Sequence, residues 1–236
     1  MAKKPARAHA DEPTAPAPPT GSDRERIIAA FMALLAEKSF ERIDLGEVAA
    51  RAGVSLGAMR GEFGSTLAIY AAQVKAIDRA VLEGGEGDMS EEPPRERLFD
   101  VLMRRIETLA PHKEAIRSLL RSARRNPPLA FALNGIAVRS QQWMLAAAEI
   151  HASGPRGMLR AQGLALLWAR VLGTFVNDEE EGHARTMAAL DRALAQGARW
   201  VGFLDDLCRF VPGCRPRRRR RRDLDEEPDD EATVAA

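Results

Sequence analysis

Arg60 is the only cation in a short predicted helix, residues 56–62, and its side chain could bind nucleic acid. A guanidinium can reach either a phosphate oxygen or the O6 and N7 atoms of guanine. A phosphate contact is independent of base sequence, whereas a guanine contact discriminates between base pairs. The chemistry that this residue offers is therefore recognition of DNA.

Catalytic and metal-binding patterns are absent from the sequence. The four histidines, at positions 9, 112, 151 and 183, are far apart, and there is no His-Glu-x-x-His, Gly-rich phosphate loop, Gly-x-Ser-x-Gly or zinc-spaced cysteine pair. The acidic residues 179–181 could be interpreted as a metal site, but a solvated loop is the simpler interpretation. We therefore expect a protein that is not an enzyme and that uses no metal or cofactor.

The segments on either side of Arg60 predict a helix-turn-helix. Asp44 and Glu47 form a capping pair that begins one helix, and Gly53 permits the left-handed backbone that ends it. Ser55 can then cap the second helix. Many helical proteins that do not touch DNA contain the same geometry, so the flanking sequence has to decide between the two interpretations.

The flanking sequence extends the pattern in both directions. Ser22 and Glu25 form another capping box, about 15 residues at helical spacing follow, and Gly64-Ser65 begin a long helix. Residues 24–74 read RERIIAAFMALLAEKSFERIDLGEVAARAGVSLGAMRGEFGSTLAIYAAQV. This segment resembles the N-terminal DNA-binding domain of the TetR family of bacterial transcriptional regulators. The resemblance implies a helical ligand-binding and dimerisation domain in the rest of the chain.

The resemblance also implies that helix 56–62 enters the major groove of an operator in double-stranded DNA. Three positions depart from the family pattern: Arg60 replaces an aromatic residue, Thr66 replaces a phosphate-binding lysine, and Glu62 stands where His or Tyr is common. Residues 24–83 contain eight basic and eight acidic side chains, so the usual basic footprint is missing. The residues expected at the DNA are Asp44, Ser55, Leu56, Gly57, Arg60, Gly61 and Thr66.

Residues 95–211 are expected to form the larger domain, from helices with broad apolar faces. An apolar pocket for a small effector or lipid is expected, with a filled core as the alternative; its lining residues are Leu102, Ile106, Ile116, Leu120, Trp143, Met144 and Trp168. The resemblance implies a homodimer through the last two long helices, 155–176 and 183–207. The residues assigned to this seam are Leu164, Val171, Leu190, Leu194 and Val201.

A second resemblance leaves the function open. Residues 95–128 read RERLFDVLMRRIETLAPHKEAIRSLLRSARRNPP. They are similar to the lipid-binding accessory proteins of ubiquinone biosynthesis, which share the TetR fold, have lost DNA binding and hold an isoprenoid lipid in the cavity that the regulators use for inducers. A ligand-responsive repressor is the preferred hypothesis, and a lipid carrier is the alternative.

The whole chain is predicted to be all-α. We expect a disordered arm (1–21), a three-helix DNA-binding domain with its connecting helix (22–83), a helical bundle domain (95–211) and a disordered Arg-rich and acidic tail (212–236). No window approaches 18 uncharged apolar residues, so no membrane span is expected. Only Cys208 and Cys214 are present, which suits the reducing cytoplasm.

Overall fold

The computed structural model describes residues 21–85 and 91–210, with side chains given for all of these except 181 and 198–210. The described residues form helices and contain no strand, which confirms the predicted all-α class. The predicted tails lie outside the described residues, apart from Gly21. The helices are α1 (Asp23–Glu37), α2 (Leu45–Ala52), α3 (Leu56–Glu62), α4 (Thr66–Glu83), α5 (Pro94–Leu109), α6 (Lys113–Arg125), α7 (Pro127–Ala147), α8 (Gly154–Phe175) and α9 (Ala184–Phe210), with short 3-10 turns at Phe40–Arg42, Ala110–His112 and Glu181–His183.

Short-range capping signals place the first helices where the sequence predicts them. Ser22 and Glu25 form a reciprocal capping box at the start of α1. Gly53 ends α2 with φ of 66°, a left-handed conformation that a side chain would strain. Ser55 begins α3 by accepting a hydrogen bond from the amide of Ala58 at 3.1 Å. The angle between α2 and α3 therefore follows from local chemistry.

Two hydrophobic clusters hold the helices together within one compact unit that ends at Gly197. We call the first the N-terminal core; its members include Ile27, Phe31, Leu35, Val48, Met59, Phe63, Ile69, Ala115 and Leu119. We call the second the C-terminal core; its members include Ile77, Val81, Leu102, Ile106, Ile116, Met144, Trp168, Phe175, Leu190 and Leu194. The described residues after Gly197, 198–210, belong to a second unit.

Two helices contribute to both cores. Ile69 of α4 packs in the N-terminal core, whereas Ile77 and Val81 of the same helix pack in the C-terminal core. On α6, Leu119 faces the N-terminal core and Ile116 faces the C-terminal core. Helices α4 and α6 are therefore shared by the two cores.

A buried carboxylate caps the last helix. Asp178 lies in the turn before α9, where the sequence predicts solvated acidic residues, yet its side chain is buried. Its Oδ2 accepts hydrogen bonds from the amide of Thr186 at 2.8 Å and from the Thr186 hydroxyl at 2.7 Å. Asp178 thus caps the first turn of α9.

Replacing Asp178 with alanine is expected to lower the free energy of unfolding by about 1–3 kcal/mol, because two buried donors lose their acceptor. Urea denaturation followed by circular dichroism measures the change. Glu179→Ala is the matched control, since Glu179 is an exposed carboxylate in the same turn and should change stability by no more than about 0.5 kcal/mol. Equal effects of the two substitutions would contradict the capping role.

Candidate functional site

Helix α3 presents a small exposed surface with one cation. Met59 points inward and is buried in the N-terminal core, which fixes the rotation of the helix. Leu56, Gly57, Arg60 and Gly61 are exposed. A Cβ added at Gly61 would contact nothing within 4 Å, so this part of the helix backbone faces open space. These four residues of the predicted set are brought together on one face.

The other three residues predicted at the DNA begin helices. Asp44 Oδ1 accepts a hydrogen bond from the amide of Glu47 at 2.8 Å, and Ser55 caps α3 in the same way. Thr66 is the first residue of α4 and is partly buried, with Ser65 as the cap. Asp44 and Ser55 therefore have a clear structural role, and a direct contact with DNA stays a prediction for all three.

Glu62 has an intramolecular partner that sequence spacing does not reveal. Arg24, 38 residues earlier on α1, places Nη1 3.3 Å from the Glu62 carboxylate. The same guanidinium lies over the ring of Phe63, 4.6 Å from its centroid. The negative charge at the end of α3 is thus screened by Arg24, and Arg24 is held beside α3.

Most cations of residues 24–83 are held in ion pairs. The pairs are Arg24 with Glu62, Arg26 with Asp23, Lys38 with Glu47, Arg51 with Glu37, and Arg79 with Glu83. Within the described part of the chain, the three remaining cations, Arg42, Arg60 and Lys75, make no ion pair. Arg60 is therefore the one cation of α3 and is free to bind an external partner.

Replacing Glu62 with glutamine is expected to increase DNA affinity, because it removes a carboxylate beside α3 and releases Arg24 for a phosphate contact. One added contact should steepen the dependence of log affinity on log salt concentration by about 0.9. Fluorescence anisotropy at several salt concentrations measures this slope. Glu83→Gln is the matched control: it releases Arg79, which lies about 20 Å along α4 from the first residue of that helix, and it should leave the slope unchanged.

The predicted ligand-pocket residues are only partly brought together. Leu102, Ile106, Ile116, Met144 and Trp168 are buried in the C-terminal core, and Leu120 packs against it. Trp143 is a correction, because it is 60% exposed on α7. Helical geometry explains the error: Trp143 precedes the inward-facing Met144 by one residue, which places it about 100° away around the helix. The pocket itself stays a prediction.

Charged and polar side chains also lie inside the C-terminal core, where the sequence indicates an apolar interior. Arg105 of α5 places Nη1 2.9 Å from Oδ1 of Asp78 on α4, and the Ser140 hydroxyl of α7 donates to the same oxygen at 2.8 Å. The Arg105 guanidinium lies 5.2 Å from the ring centroid of Trp168 on α8. Burial raises the pKa of Asp78 and lowers that of Arg105. Four helices therefore meet at one buried ion pair.

The sequence contains a weak signal for this pair. Arg105 falls four residues after Val101, so Arg105 shares a helical face with a core residue. The two residues are 27 positions apart, however, and helical spacing cannot show that their charges meet.

The predicted dimer residues face the interior of the protomer. Leu164, Val171, Leu190 and Leu194 are buried in the C-terminal core, and the side chain of Val201 lies outside the described residues. The opposite face of α8 carries Leu159 and Leu166, each 57% exposed, with the exposed Gly163 between them. The assignment of four seam residues is therefore corrected, because they fill the protomer core.

A polar cleft of about 620 Å³ lies beside α6 and does not match the predicted apolar pocket; Lys38, Glu41, Arg121 and Arg125 are among its lining residues. Two serines join α6 to the end of α1 at this cleft. The Ser118 hydroxyl donates to the carbonyl oxygen of Lys38 at 2.7 Å, and the amide of Phe40 donates to Ser122 Oγ at 3.1 Å. These contacts hold α6 against the end of α1 and the turn that follows it.

Comparisons with known proteins identify similar structures. No family model and no curated protein matches the chain. A TetR transcriptional regulator from Rhodococcus sp. RHA1 is 25% identical, with a TM-score of 0.55 over 74% of this chain and 95% of that protein. The TetR transcriptional regulator from Nitrosomonas europaea ATCC 19718 is 22% identical, with a TM-score of 0.58 over 76% and 99% of the two chains. The structural similarity covers about three quarters of this chain and so extends beyond the helix-turn-helix. None of the described helices is long and apolar enough to cross a membrane.

Proposed function

We propose that this chain, which has the fold of TetR-family transcriptional regulators, is a homodimeric DNA-binding regulator that responds to a ligand. The observation that carries the proposal is the exposed face of α3, where Arg60 is free of ion pairs within the described structure. A short helix held by a buried Met59 and presenting its outer face can lie in the major groove. A regulator of this kind acts on chromosomal DNA in the cytoplasm.

Arg60→Ala is expected to remove sequence-specific binding to the DNA upstream of the protein's own coding region, because α3 has no other cation. Loss of one bidentate guanine contact costs about 1–3 kcal/mol, or roughly 5-fold to 150-fold in affinity. Competition of labelled upstream DNA with unrelated DNA measures the preference. An unchanged preference would show that α3 does not recognise bases.

Arg79→Ala is the matched control for Arg60→Ala, since it removes an equal charge from the far end of α4 and should preserve sequence preference. Deletion of residues 215–236 should change only the non-specific part of the affinity, because the Arg-rich segment can bind phosphates without discriminating between bases. Together these variants separate recognition from general electrostatic attraction.

Dimerisation is proposed through the exposed face of α8 that Leu159, Gly163 and Leu166 form, with the exposed Met187 of α9 as a further apolar residue. A two-fold pair of protomers would place two copies of α3 against half-sites about one helical turn, or roughly 34 Å, apart. Leu159 and Leu166 share one face of α8, and a contiguous exposed apolar face is typical of a surface that a partner covers. The proposed dimer therefore explains an apolar face that the protomer leaves in water.

Ligand response is proposed to pass through α4 and α6, with residues 22–83 as the DNA-binding domain and residues 95–211 as the effector and dimerisation domain. The support is that both helices pack in both cores, so a ligand in the C-terminal core changes the surroundings of Ile77 and Ile116. Arg117 adds a contact between α6 and the end of α8, with Nε 3.1 Å from the carbonyl oxygen of Val176. A small shift of these helices would alter the spacing of the two α3 helices and so reduce operator affinity.

A further inference from the structure

The polar cleft beside α6 has the size of a small-molecule site. Its volume is about 620 Å³, and such sites usually measure about 300–1,000 Å³. Its walls are the end of α1 with the turn that follows, the second half of α6, and the start of α7. Every lining residue except Pro127 is polar or charged. The cleft therefore has room for a ligand and suits a polar one.

Two buried serines hold the walls of this cleft together. Ser118 and Ser122 are each 4% exposed, and their hydroxyls are engaged with the backbone of residues 38 and 40. The amide of Asn126 adds a side-chain contact, with Nδ2 3.3 Å from Oε1 of Glu41. The cleft is therefore formed before any ligand enters it, which reduces the cost of binding.

Four of the five charged residues that line the cleft are offset by an opposite charge. The ion pairs are Lys38 with Glu47 and Glu37 with Arg51. The pKa of Glu41 is lowered, mainly by a hydrogen bond from its own backbone amide and in part by the charge of Arg125, so these two side chains offset each other. Arg121 makes no ion pair and no hydrogen bond within the described residues. It is therefore the cation that leaves the cleft with an uncompensated positive charge.

Arg121 and Arg125 lie one helical turn apart on α6, and both line the cleft. Residues at this spacing have Cβ atoms about 5–6 Å apart, and like charges there repel each other. An oxyanion between them would remove this repulsion. The planar guanidinium group matches the geometry of a carboxylate or a phosphate, to which it can donate two hydrogen bonds. The pair therefore offers a site for an anionic group.

We propose that the cleft beside α6 binds a small polar molecule through a carboxylate or phosphate group, which Arg121 and Arg125 hold. Hydroxyl groups on the rest of the ligand suit the remaining polar lining, such as Ser39 and Asn126. The site is separate from the surface proposed to bind DNA. Glu37, at the cleft, lies about 20 Å along α1 from Arg24, the residue that contacts α3.

Binding of three sugars to the purified protein, in the absence of DNA, tests the proposal. Glucose, glucuronate and glucose 6-phosphate differ at carbon 6, which carries a hydroxyl, a carboxylate oxygen pair or a phosphate ester. Isothermal titration calorimetry at constant salt concentration should show that at least one charged sugar binds at least about tenfold more tightly than glucose. The tighter of the two charged sugars identifies the preferred oxyanion. No detectable binding of either one, or an affinity equal to that of glucose, would overturn the proposal.

Arg121→Gln should weaken binding of the tighter sugar about tenfold. It should not lower the melting temperature of the free protein, because it removes a like-charge repulsion and breaks no contact within the described residues. A purely structural role for Arg121 would lower the melting temperature instead.

Arg124→Gln is the matched control for Arg121→Gln. Arg124 is an exposed arginine of the same helix that makes no ion pair within the described residues and does not line the cleft, so its loss should leave sugar binding unchanged. The Arg-rich segment 215–222 is present in both variants, so the difference between them reports on the cleft alone. Equal weakening by the two substitutions, or unchanged binding by Arg121→Gln, would show that the proposal is wrong.

Discussion

Asp78→Ala is expected to lower the free energy of unfolding by about 3–5 kcal/mol, which is a large part of the stability of a typical domain. The substitution leaves the Arg105 guanidinium, 4% exposed, without its counter-charge in the C-terminal core. It also removes the acceptor of the Ser140 hydroxyl. Urea denaturation followed by circular dichroism gives the free energy directly.

The double replacement Asp78→Leu with Arg105→Met tests whether the loss comes from an uncompensated charge. Replacing both partners of a buried pair with apolar residues of similar size is often neutral or stabilising. The double variant should therefore be more stable than Asp78→Ala, and its effect should differ strongly from the sum of the two single effects. If Asp78→Ala lowers the free energy of unfolding by less than about 1 kcal/mol, water must reach the Arg105 guanidinium, and the predicted cost of an unpaired buried charge is wrong.

The predictable part of this fold is encoded in short stretches of sequence. Ser22, Asp44, Ser55 and Ser65 each cap the helix that follows, and Gly53 adopts the left-handed conformation that its position predicts. These signals act within four residues, so neighbouring residues suffice to identify them. Because they fix where α1 to α4 begin, the helix-turn-helix could be located before any tertiary contact was known.

Contacts between distant helices are the part that the sequence does not reveal. The sequence gives no sign that Arg24 screens the charge of Glu62. It also gives no sign that Arg105 and Ser140 surround the carboxylate of Asp78. Periodicity gives the angular position of a side chain on its own helix and says nothing about the partner helix. Both ion pairs therefore belong to tertiary structure.

Periodicity also fails on α8, for a different reason. Leu164 and Val171 face the core, while Leu159 and Leu166 face outward, so apolar residues lie on both sides of the helix. A helix with two apolar faces has no unique inward direction by pattern alone. The sequence indicates a broad apolar surface on α8, but it cannot say which leucines the protomer core uses.

Leu166→Glu is expected to convert the dimer into folded monomers. In the proposed interface a glutamate at position 166 would be buried without a partner, which costs several kcal/mol for each of the two copies. In the separated protomer the same side chain is 57% exposed and should cost little. Sedimentation velocity measures the mass, and circular dichroism confirms that the helices remain.

Two further glutamate substitutions serve as controls for Leu166→Glu. Phe131→Glu changes an apolar residue of α7 that is 82% exposed and is not part of the proposed α8 face, so it should leave the dimer intact. Leu190→Glu places the charge in the C-terminal core and should unfold the protein instead of yielding a folded monomer. An intact dimer for Leu166→Glu would exclude this face of α8 as the interface, because a buried unpaired carboxylate could not be accommodated there without loss of affinity.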